Sequence, residues 1–575
     1  MADYLNDAIL LYLNQICDWD TYFRLRKGDD VDVESERQAL VGVLETASEI
    51  CREIEAEARE GWEDEPRLED GEVVLPEHTR RGYERLAEVG LVGVGIREEY
   101  GGFELPSLLG NVLLQMVSRA DASLMTILGL QSGVASDIQK YASDEIREEY
   151  LPRFVSGEVQ GSMDLTESEA GSDLGGIVTR VTDVDGKSFL DGEKIFITNG
   201  GCEVHLVLAR DDDTFEESKG TTRGLSLILC PRTLPDGRKN GVRVERLERK
   251  LGIHGSPTAV VRFERAEAYR IGEKGGGFKA MLDLMNDARL GVAAQGIGIA
   301  EAALQEALDY AKQRKQFGIP IGDQPLMKTM LSRMILSLEG ARALLYRCCA
   351  LVDRNVAIER RLERASGLSD AERADLERVL ERNQVQVRLL TPLAKYIATE
   401  TCDDITRTAI QVHGGLGFMA ESVVGRLHLD GIITTIYEGT SEIQISFALR
   451  EIGKGALGIV FEEIQGELSK LTDEPLAGFA TQVSKGIEQV NDASVALIKD
   501  PSYALLSARA VAEMVIQVII ATELLRQAQA DPRREELAAR WVNLKLLELE
   551  MHAKRVSSGD VSRVERSEHI IALFD

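Results

Sequence analysis

The segment Thr434-Thr435-Ile436-Tyr437-Glu438-Gly439-Thr440-Ser441-Glu442-Ile443-Gln444 sets one carboxylate, Glu438, in an apolar and hydroxyl-bearing stretch, with glycine directly after it. Burial raises the pKa of such a carboxyl and suits it to act as a base. The plainer alternative is a helix N-terminus capped by Thr440 or Ser441. A second stretch, Leu165-Thr166-Glu167-Ser168-Glu169-Ala170-Gly171-Ser172-Asp173, is rich in small residues and hydroxyls. It offers N–H and O–H donors to a planar heterocycle or a phosphate, or it is only a polar turn with a helix cap.

Two further stretches end helices. Arg314-Lys315-Gln316-Phe317-Gly318 closes a periodic run, where cations favour the macrodipole and Gly318 suits the C′ position. Gln411-Val412-His413-Gly414-Gly415-Leu416-Gly417-Phe418 sets glycines where a helix should stop. They permit close backbone approach to a ligand, or simply a turn. No second His or Cys stands at ligand spacing from His413, so no metal site is expected. No GxGxxG opens a helix after a strand and no GxxxxGK[ST] occurs, which excludes a Rossmann site or a P-loop; Gly275–Gly277 reads as a flexible join.

The elements that carry these stretches fall into five regions. Residues 1–33 form an amphipathic leader helix (Leu5, Ile9, Leu10, Tyr12, Leu13, Ile16), with the acidic stretch Asp29–Glu36 at its end. Residues 34–160 have helical period, including Leu108–Met116 and Glu145–Phe154. Residues 161–270 alternate, and Asp185-Gly186 between Val178–Val184 and Lys187–Leu190 signals a hairpin; Lys194–Thr198, Val204–Ala209, Leu225–Cys230 and Ala259–Phe263 add strands to an antiparallel β domain. Helical period returns over 271–453, where Ile297, Ala300, Leu304, Ala307, Leu308 and Ala311 share a face. An inserted, charge-laced hairpin is expected at 355–385, with Ser369 and Glu372 set as a capping box. Residues 454–575 form an additional helical domain, Ala504–Gln527 being its longest periodic run.

The 575 residues are too many for one core, and 44% hydrophobic with 28% charged residues describes an ordinary soluble protein. The apolar run Val511–Ala521 is interrupted by Glu513 and Gln517, short of the ~20 apolar residues of a bilayer span, so no membrane span is expected. No secretory signal pattern is visible at the N-terminus. The seven scattered cysteines form no CxxC pair, which speaks against a disulfide framework and for a reducing, cytoplasmic setting. A formal net charge of −29 argues against a nucleic-acid partner.

In this order and spacing, LTESEAGSD (165–173), KIFITNGG (194–201), KLGIHGSPT (250–258), ARLGVAAQGIGIA (288–300), QRKQFG (313–318), QVHGGLGF (411–418) and IYEGTSEIQ (436–444) resemble the acyl-CoA dehydrogenase family over residues 37–450. The leader, the insert and the tail are similar to the longer subgroup that includes 3-methylmercaptopropionyl-CoA dehydrogenases. The fold so implied is α+β: a helical N-domain, a central antiparallel β domain and a C-terminal helical bundle, with an extra helical domain.

The resemblance implies FAD as cofactor and an acyl-CoA as substrate. Glu438 removes the α-proton while flavin N5 takes the β-hydride, and the Glu438 backbone N–H with a flavin ribityl hydroxyl holds the thioester oxygen. It sets Leu165 and Thr166 at the pyrimidine end of the flavin, and Phe196 and Thr198 over its other side; family members commonly carry Trp at the Phe196 position. Gly171 and Ser172 fall near the pyrophosphate and the CoA arm, and Arg289 contacts CoA. Tyr437 and Gly439 flank the substrate, and Thr440 lies beside the cofactor. Arg314, Phe317, Gln324, Gln411, Gly414 and Gly415 reach the FAD adenosine across a subunit interface, which implies a homo-oligomer, a dimer or tetramer. Electrons leave to electron-transfer flavoprotein. Two rival outcomes are an acyl-CoA oxidase, with the same site discharged to O₂, and a non-catalytic DNA-binding member. The charge, the intact Glu438, and Arg533, Arg534 and Arg540 lying among acids count against the second.

Overall fold

Asp185 and Gly186 both take positive φ, 51° and 78°, the turn that lets two twisted strands pair directly. This is the hairpin read from the sequence, seen here in a computed structural model that describes residues 4–364 and 367–574. The first three residues of the leader, Ala365 and Ser366 of the expected 355–385 hairpin, and Asp575 lie outside the described residues.

Seven strands form the central sheet: β1 (Gly161–Asp164), β2 (Arg180–Val184), β3 (Lys187–Thr198), β4 (Val204–Asp211), β5 (Leu225–Pro231), β6 (Val242–Leu247) and β7 (Thr258–Ile271). Pairing runs β4–β2–β3–β7–β5 and returns to β4, so five strands close on themselves, with β1 beside β4 and β6 beside β7. The expectation of a purely antiparallel domain needs one correction: β4 lies parallel to both β1 and β2. Long excursions separate these strands in sequence, and such crossovers permit parallel pairing where tight turns do not. Asp191-Gly192 is no turn; the register of β3 on β7 shifts there and the strand continues.

Every residue of β4 is buried, because both faces are covered. Val207 and Ala209 face a core inside the closed strands with Ile228, Val261 and Phe263. Leu206 and Leu208 face outward onto Val134 and Ile138 of the helix Ala122–Tyr141. Period two along one strand thus joins the β domain to the N-terminal helices.

Three long helices, Gly277–Gln313, Pro325–Arg364 and Asp370–His413, form the bundle. The capping box is present: Ser369 N–H donates to Glu372 Oε2 at 2.8 Å, and Glu372 N–H to Ser369 Oγ at 3.3 Å. The 355–385 hairpin is the far end of two bundle helices and not a separate unit. The leader is two short helices instead of one, because Asp18 stops the first segment and caps Trp19–Lys27 through Thr21 N–H at 3.1 Å.

The tail, expected as a domain of its own, shares the bundle's core. Its helix Pro501–Ala530 is long and apolar enough to cross a membrane by length and composition, and most of it is buried inside the protein. Gly340 leaves room for the Trp541 ring, which would lie 2.5 Å from a Cβ there. Glu523, fully buried on Pro501–Ala530, accepts from Arg347 at 2.6 Å and Arg526 at 2.9 Å. Removing one partner of such an interior network strands the others. Glu523→Ala is therefore expected to cost about 3 kcal/mol, read as a lowered thermal unfolding midpoint of the whole chain; an unchanged midpoint would mean that the tail is not anchored there.

Candidate active site

Glu438 stands in a turn that few side chains tolerate. Its φ is 55° and that of Gly439 is 93°, two successive left-handed residues ahead of the helix Ser441–Gly453. Only glycine fits the second position, since a Cβ would lie 2.6 Å from Gln444 Nε2. The Gln444 amide donates to Glu438 O at 2.9 Å and to Gly439 O at 3.0 Å, and Lys395 Nζ donates to Gly439 O at 2.9 Å. Tyr437 OH is fixed on Gln295 Oε1, and Gln295 in turn donates to Ala122 O at 3.2 Å. Thr440 sits at the head of the following helix but makes no side-chain cap bond.

Glu438 and Tyr437 line a cavity of about 600 Å³ together with Thr198 of β3 and Asn286, Leu290 and Gly291 of the bundle. Leu113, Leu114, Met125 and Leu128 make its middle apolar, while Arg26, Glu104 and Arg360 ring the end nearest the leader and hairpin. Burial pushes the Glu438 carboxyl pKa up, and Arg289 and Lys395 oppose that shift. Burial lowers Lys395 to about 8 and Arg289 to about 10, with Glu438 pulling each back up. A base poised between an apolar cavity and two cations can accept a proton from carbon without leaving an isolated buried charge.

The second expected stretch is held from beneath. Lys194, wholly buried, donates to Glu167 Oε1 at 2.8 Å, to Leu165 O at 2.9 Å and to Leu208 O at 2.9 Å. Glu167 also accepts from Val178 N–H at 2.8 Å and Thr179 N–H at 3.1 Å, while Ile195 N–H donates to Thr166 O at 2.9 Å. These bonds carry Leu165 and Thr166 alongside the strand bearing Phe196 and Thr198. Glu167 is held below the ordinary carboxylate range although its burial works the other way, and Lys194 is lowered by desolvation. The pair is thus a device of position more than a source of net stability. Phe196, at φ 58°, stands 62% exposed off the sheet. Gly171 and Ser172 are exposed on the outer part of the loop.

The remaining expected residues lie elsewhere. Arg314 caps the helix that carries Arg289 twenty-five residues earlier, roughly 37 Å away at about 1.5 Å per residue. Gln411 is likewise sixteen residues, roughly 24 Å, beyond Lys395 on Asp370–His413. Tyr310 stacks on His413 at 4.3 Å and draws the two helix ends together. Gly318 is not the helix C′ residue; Phe317 and Gly318, at φ 54° and 85°, turn a small hairpin, Lys315–Gln316 with Ile319–Pro320, that leaves Phe317 95% exposed. Gln324 lies next to it, ahead of Pro325–Arg364, and Gly414 and Gly415 have open space where a Cβ would be. Within one chain these six residues form a second patch, apart from Glu438.

Arg289, expected beside CoA, is buried and is not among the residues that line the cavity. It is 4% exposed, its guanidinium lies 4.7 Å from the Phe447 ring centre, and it donates to Asn286 Oδ1 at 2.8 Å. Desolvation lowers its pKa and the attraction of Glu438 opposes that shift. Lys395, Gln295 and Gln444 were not singled out from the sequence. A lone lysine in the apolar run Leu389–Ala398 was the available signal for the first; the two glutamines carry none.

Residues 43–158, 162–266 and 275–453 match the family models described as acyl-CoA dehydrogenase N-terminal, middle and C-terminal domains. The chain is 33% identical over 490 residues to 3-methylmercaptopropionyl-CoA dehydrogenase of Ruegeria pomeroyi, covering 80% of this chain and 79% of that one. It resembles the crystal structure of an acyl-CoA dehydrogenase complexed with FAD from Bacillus anthracis, with 26% identity and a TM-score of 0.70 over 84% of this chain and 82% of that one. The fold extends to Caenorhabditis elegans ACDH-11 in complex with C11-CoA, with 23% identity and a TM-score of 0.77 over 99% of this chain and 96% of that one.

Glu167→Ala should leave the Lys194 ammonium buried without its counter-charge. A loss of about 3 kcal/mol is expected, measured as a drop in thermal unfolding midpoint; equal stability of variant and wild type would contradict the positioning role of the pair.

Proposed function

This chain belongs to the acyl-CoA dehydrogenase family and is an oxidoreductase; from that premise we propose that it oxidises an acyl-CoA thioester to the trans-2-enoyl-CoA with FAD, using Glu438 as the base. The observation that carries this reading is the Glu438 carboxyl on the cavity wall, with Thr198 across the space and Arg289 and Lys395 flanking it.

The residues present fit a flavin. Thr198 borders the space, Thr166 is tied to the same strand by the Ile195 N–H, Phe196 offers an exposed ring, and Gly171 has no atom within 4 Å of its Cβ position. Leu165, Thr166, Phe196 and Thr198 would hold the ring system, with Gly171 and Ser172 toward the phosphates. Bound FAD supplies a hydride acceptor at N5. The chain supplies the rest. Glu438 takes the α-proton, the electron pair of that C–H bond forms the Cα=Cβ bond, and the β-hydrogen departs with its own pair. No acceptor takes the Glu438 backbone N–H among the described residues, so it is free to donate to the thioester oxygen as negative charge gathers there. The apolar wall of Leu113, Leu114, Met125 and Leu128 takes the acyl chain and excludes water.

Arg314 lies roughly 37 Å along one helix from Arg289, the arginine that Glu438 attracts, which sets the Arg314 patch apart from the Glu438 cavity within one chain. A second copy supplying Arg314, Phe317, Gln324, Gln411, Gly414 and Gly415 resolves this, and the exposed Phe317 and Phe418 suit such a contact. The protein is therefore proposed to be a homo-oligomer that passes electrons to electron-transfer flavoprotein. The free cysteines suit a cytoplasmic setting. A nucleic-acid role gains no support from the tail, where Arg533 pairs with Asp531 and Arg534 with Glu339.

Anaerobic mixing with a panel of acyl-CoAs should bleach the flavin with one or a few of them, and an assay in air without added acceptor should turn over little. Rapid turnover in air would make the protein an oxidase; no bleaching by any thioester would overturn the reading. Glu438→Gln should keep the flavin and bind acyl-CoA but slow bleaching by roughly 10²–10⁴-fold.

A further inference from the structure

Lys395 lies in the middle of Asp370–His413 with no exposed surface at all. A lysine is rarely so placed without a carboxylate against it. Yet among the described residues no carboxylate oxygen lies within 4.0 Å of its ammonium, and its one hydrogen bond goes to Gly439 O. That carbonyl belongs to the residue that follows Glu438, on a turn in which Glu438 is strained at φ 55° and Gly439 supplies the next left-handed position. The charged groups facing the ammonium are Glu438 from the turn, Arg289 from the helix Gly277–Gln313, and Glu400 from its own helix. Arg450 faces Arg289 from behind, and the Tyr437 hydroxyl is already committed to Gln295.

We propose that Lys395 is the positioning residue of the base: its ammonium clamps the Glu438-Gly439 turn through the Gly439 carbonyl and keeps the Glu438 carboxylate ionised beside the substrate. This rests on the dehydrogenase reading of the site. Arg289 cannot do both tasks, because among the described residues its one hydrogen bond is to Asn286 on its own helix. Gln444 holds the same carbonyl but carries no charge. Among the described residues, Lys395 alone combines a bond to the turn with a cation facing the carboxylate.

The direction of each effect follows. Burial drives Glu438 toward its neutral acid, and an acid cannot accept the α-proton; the Lys395 cation drives it back toward carboxylate. As the proton moves, negative charge leaves Glu438 for the thioester oxygen, and both cations remain next to it. Lys395 itself is lowered to about 8, first by burial, with Glu438 acting against that. Its charge is thus present below that pH and lost above it. The rate should rise with pH as Glu438 ionises and fall again as Lys395 discharges.

The test is an infrared titration of the Glu438 carboxyl in the flavin-loaded protein, its band assigned by its loss in Glu438→Gln. Wild type, Lys395→Met and Lys395→Arg are compared, together with the pH profile of anaerobic flavin bleaching. In Lys395→Met the Glu438 midpoint should move up by about one pH unit or more, and bleaching near neutrality should slow by roughly tenfold or more with little change in acyl-CoA affinity. In Lys395→Arg, whose cation does not discharge, the fall in rate near pH 8 should vanish. An unchanged Glu438 midpoint in Lys395→Met, with only a lowered unfolding temperature, would reduce the lysine to a structural part and overturn the proposal. Should Lys395→Met fail to fold, a fall near pH 8 that persists in Lys395→Arg overturns it equally. If wild type is bleached by no acyl-CoA, the dehydrogenase reading fails, while the infrared midpoint still decides whether Lys395 governs Glu438.

Discussion

Taking the Glu438 carboxyl out of water raises its pKa, and the buried cations Arg289 and Lys395 oppose that rise. The balance between those two effects governs how the rest of the protein is arranged. One cation comes from the helix Gly277–Gln313 and the other from Asp370–His413, while the base sits on the connection before Ser441–Gly453. Three segments must therefore pack to fixed distances before the base has its charge. The left-handed turn at Glu438-Gly439 is the local expense of aiming the carboxyl into the cavity.

Burial of charge recurs wherever the fold joins its parts. Lys194 and Glu167 seat the loop that runs beside Thr198, and Glu523 with Arg347 and Arg526 seats the tail on the bundle. In each case the ionic groups fix register, and apolar packing around them supplies the stability. The β domain adds the wall of the cavity opposite the base. It can do so because β4, buried on both faces, packs against the N-terminal helices on one side and the closed-strand core on the other.

Much of this was legible in the residues. Asp185-Gly186 specified its hairpin and Ser369 with Glu372 its cap, because both rest on local backbone chemistry. The motif over residues 436–444 singled out Glu438, which the fold sets on the cavity wall. What was not legible depended on contacts distant in sequence. Gly318 was read as a helix end, whereas Phe317 joins it in a hairpin turn. The tail was read as a domain of its own, since nothing in its periodicity says that Trp541 enters the space left by Gly340. Parallel pairing of β4 with β1 and β2 depends on crossovers that alternation cannot reveal. Lys395 looked like an ordinary helical residue because its partner is a backbone carbonyl forty-four positions away.

The central claim is that Glu438 takes a proton from the carbon next to the thioester. It is tested most directly with an acyl-CoA that has an α-hydrogen but no β-hydrogen, so that proton removal can occur while oxidation cannot. Incubated in D₂O with the flavin-loaded protein, such a thioester should gain deuterium at its α-carbon, seen by mass spectrometry. Glu438→Gln should abolish the gain. Exchange at the wild-type rate in that variant would show that another group removes the proton, and the account built around Glu438 would be wrong.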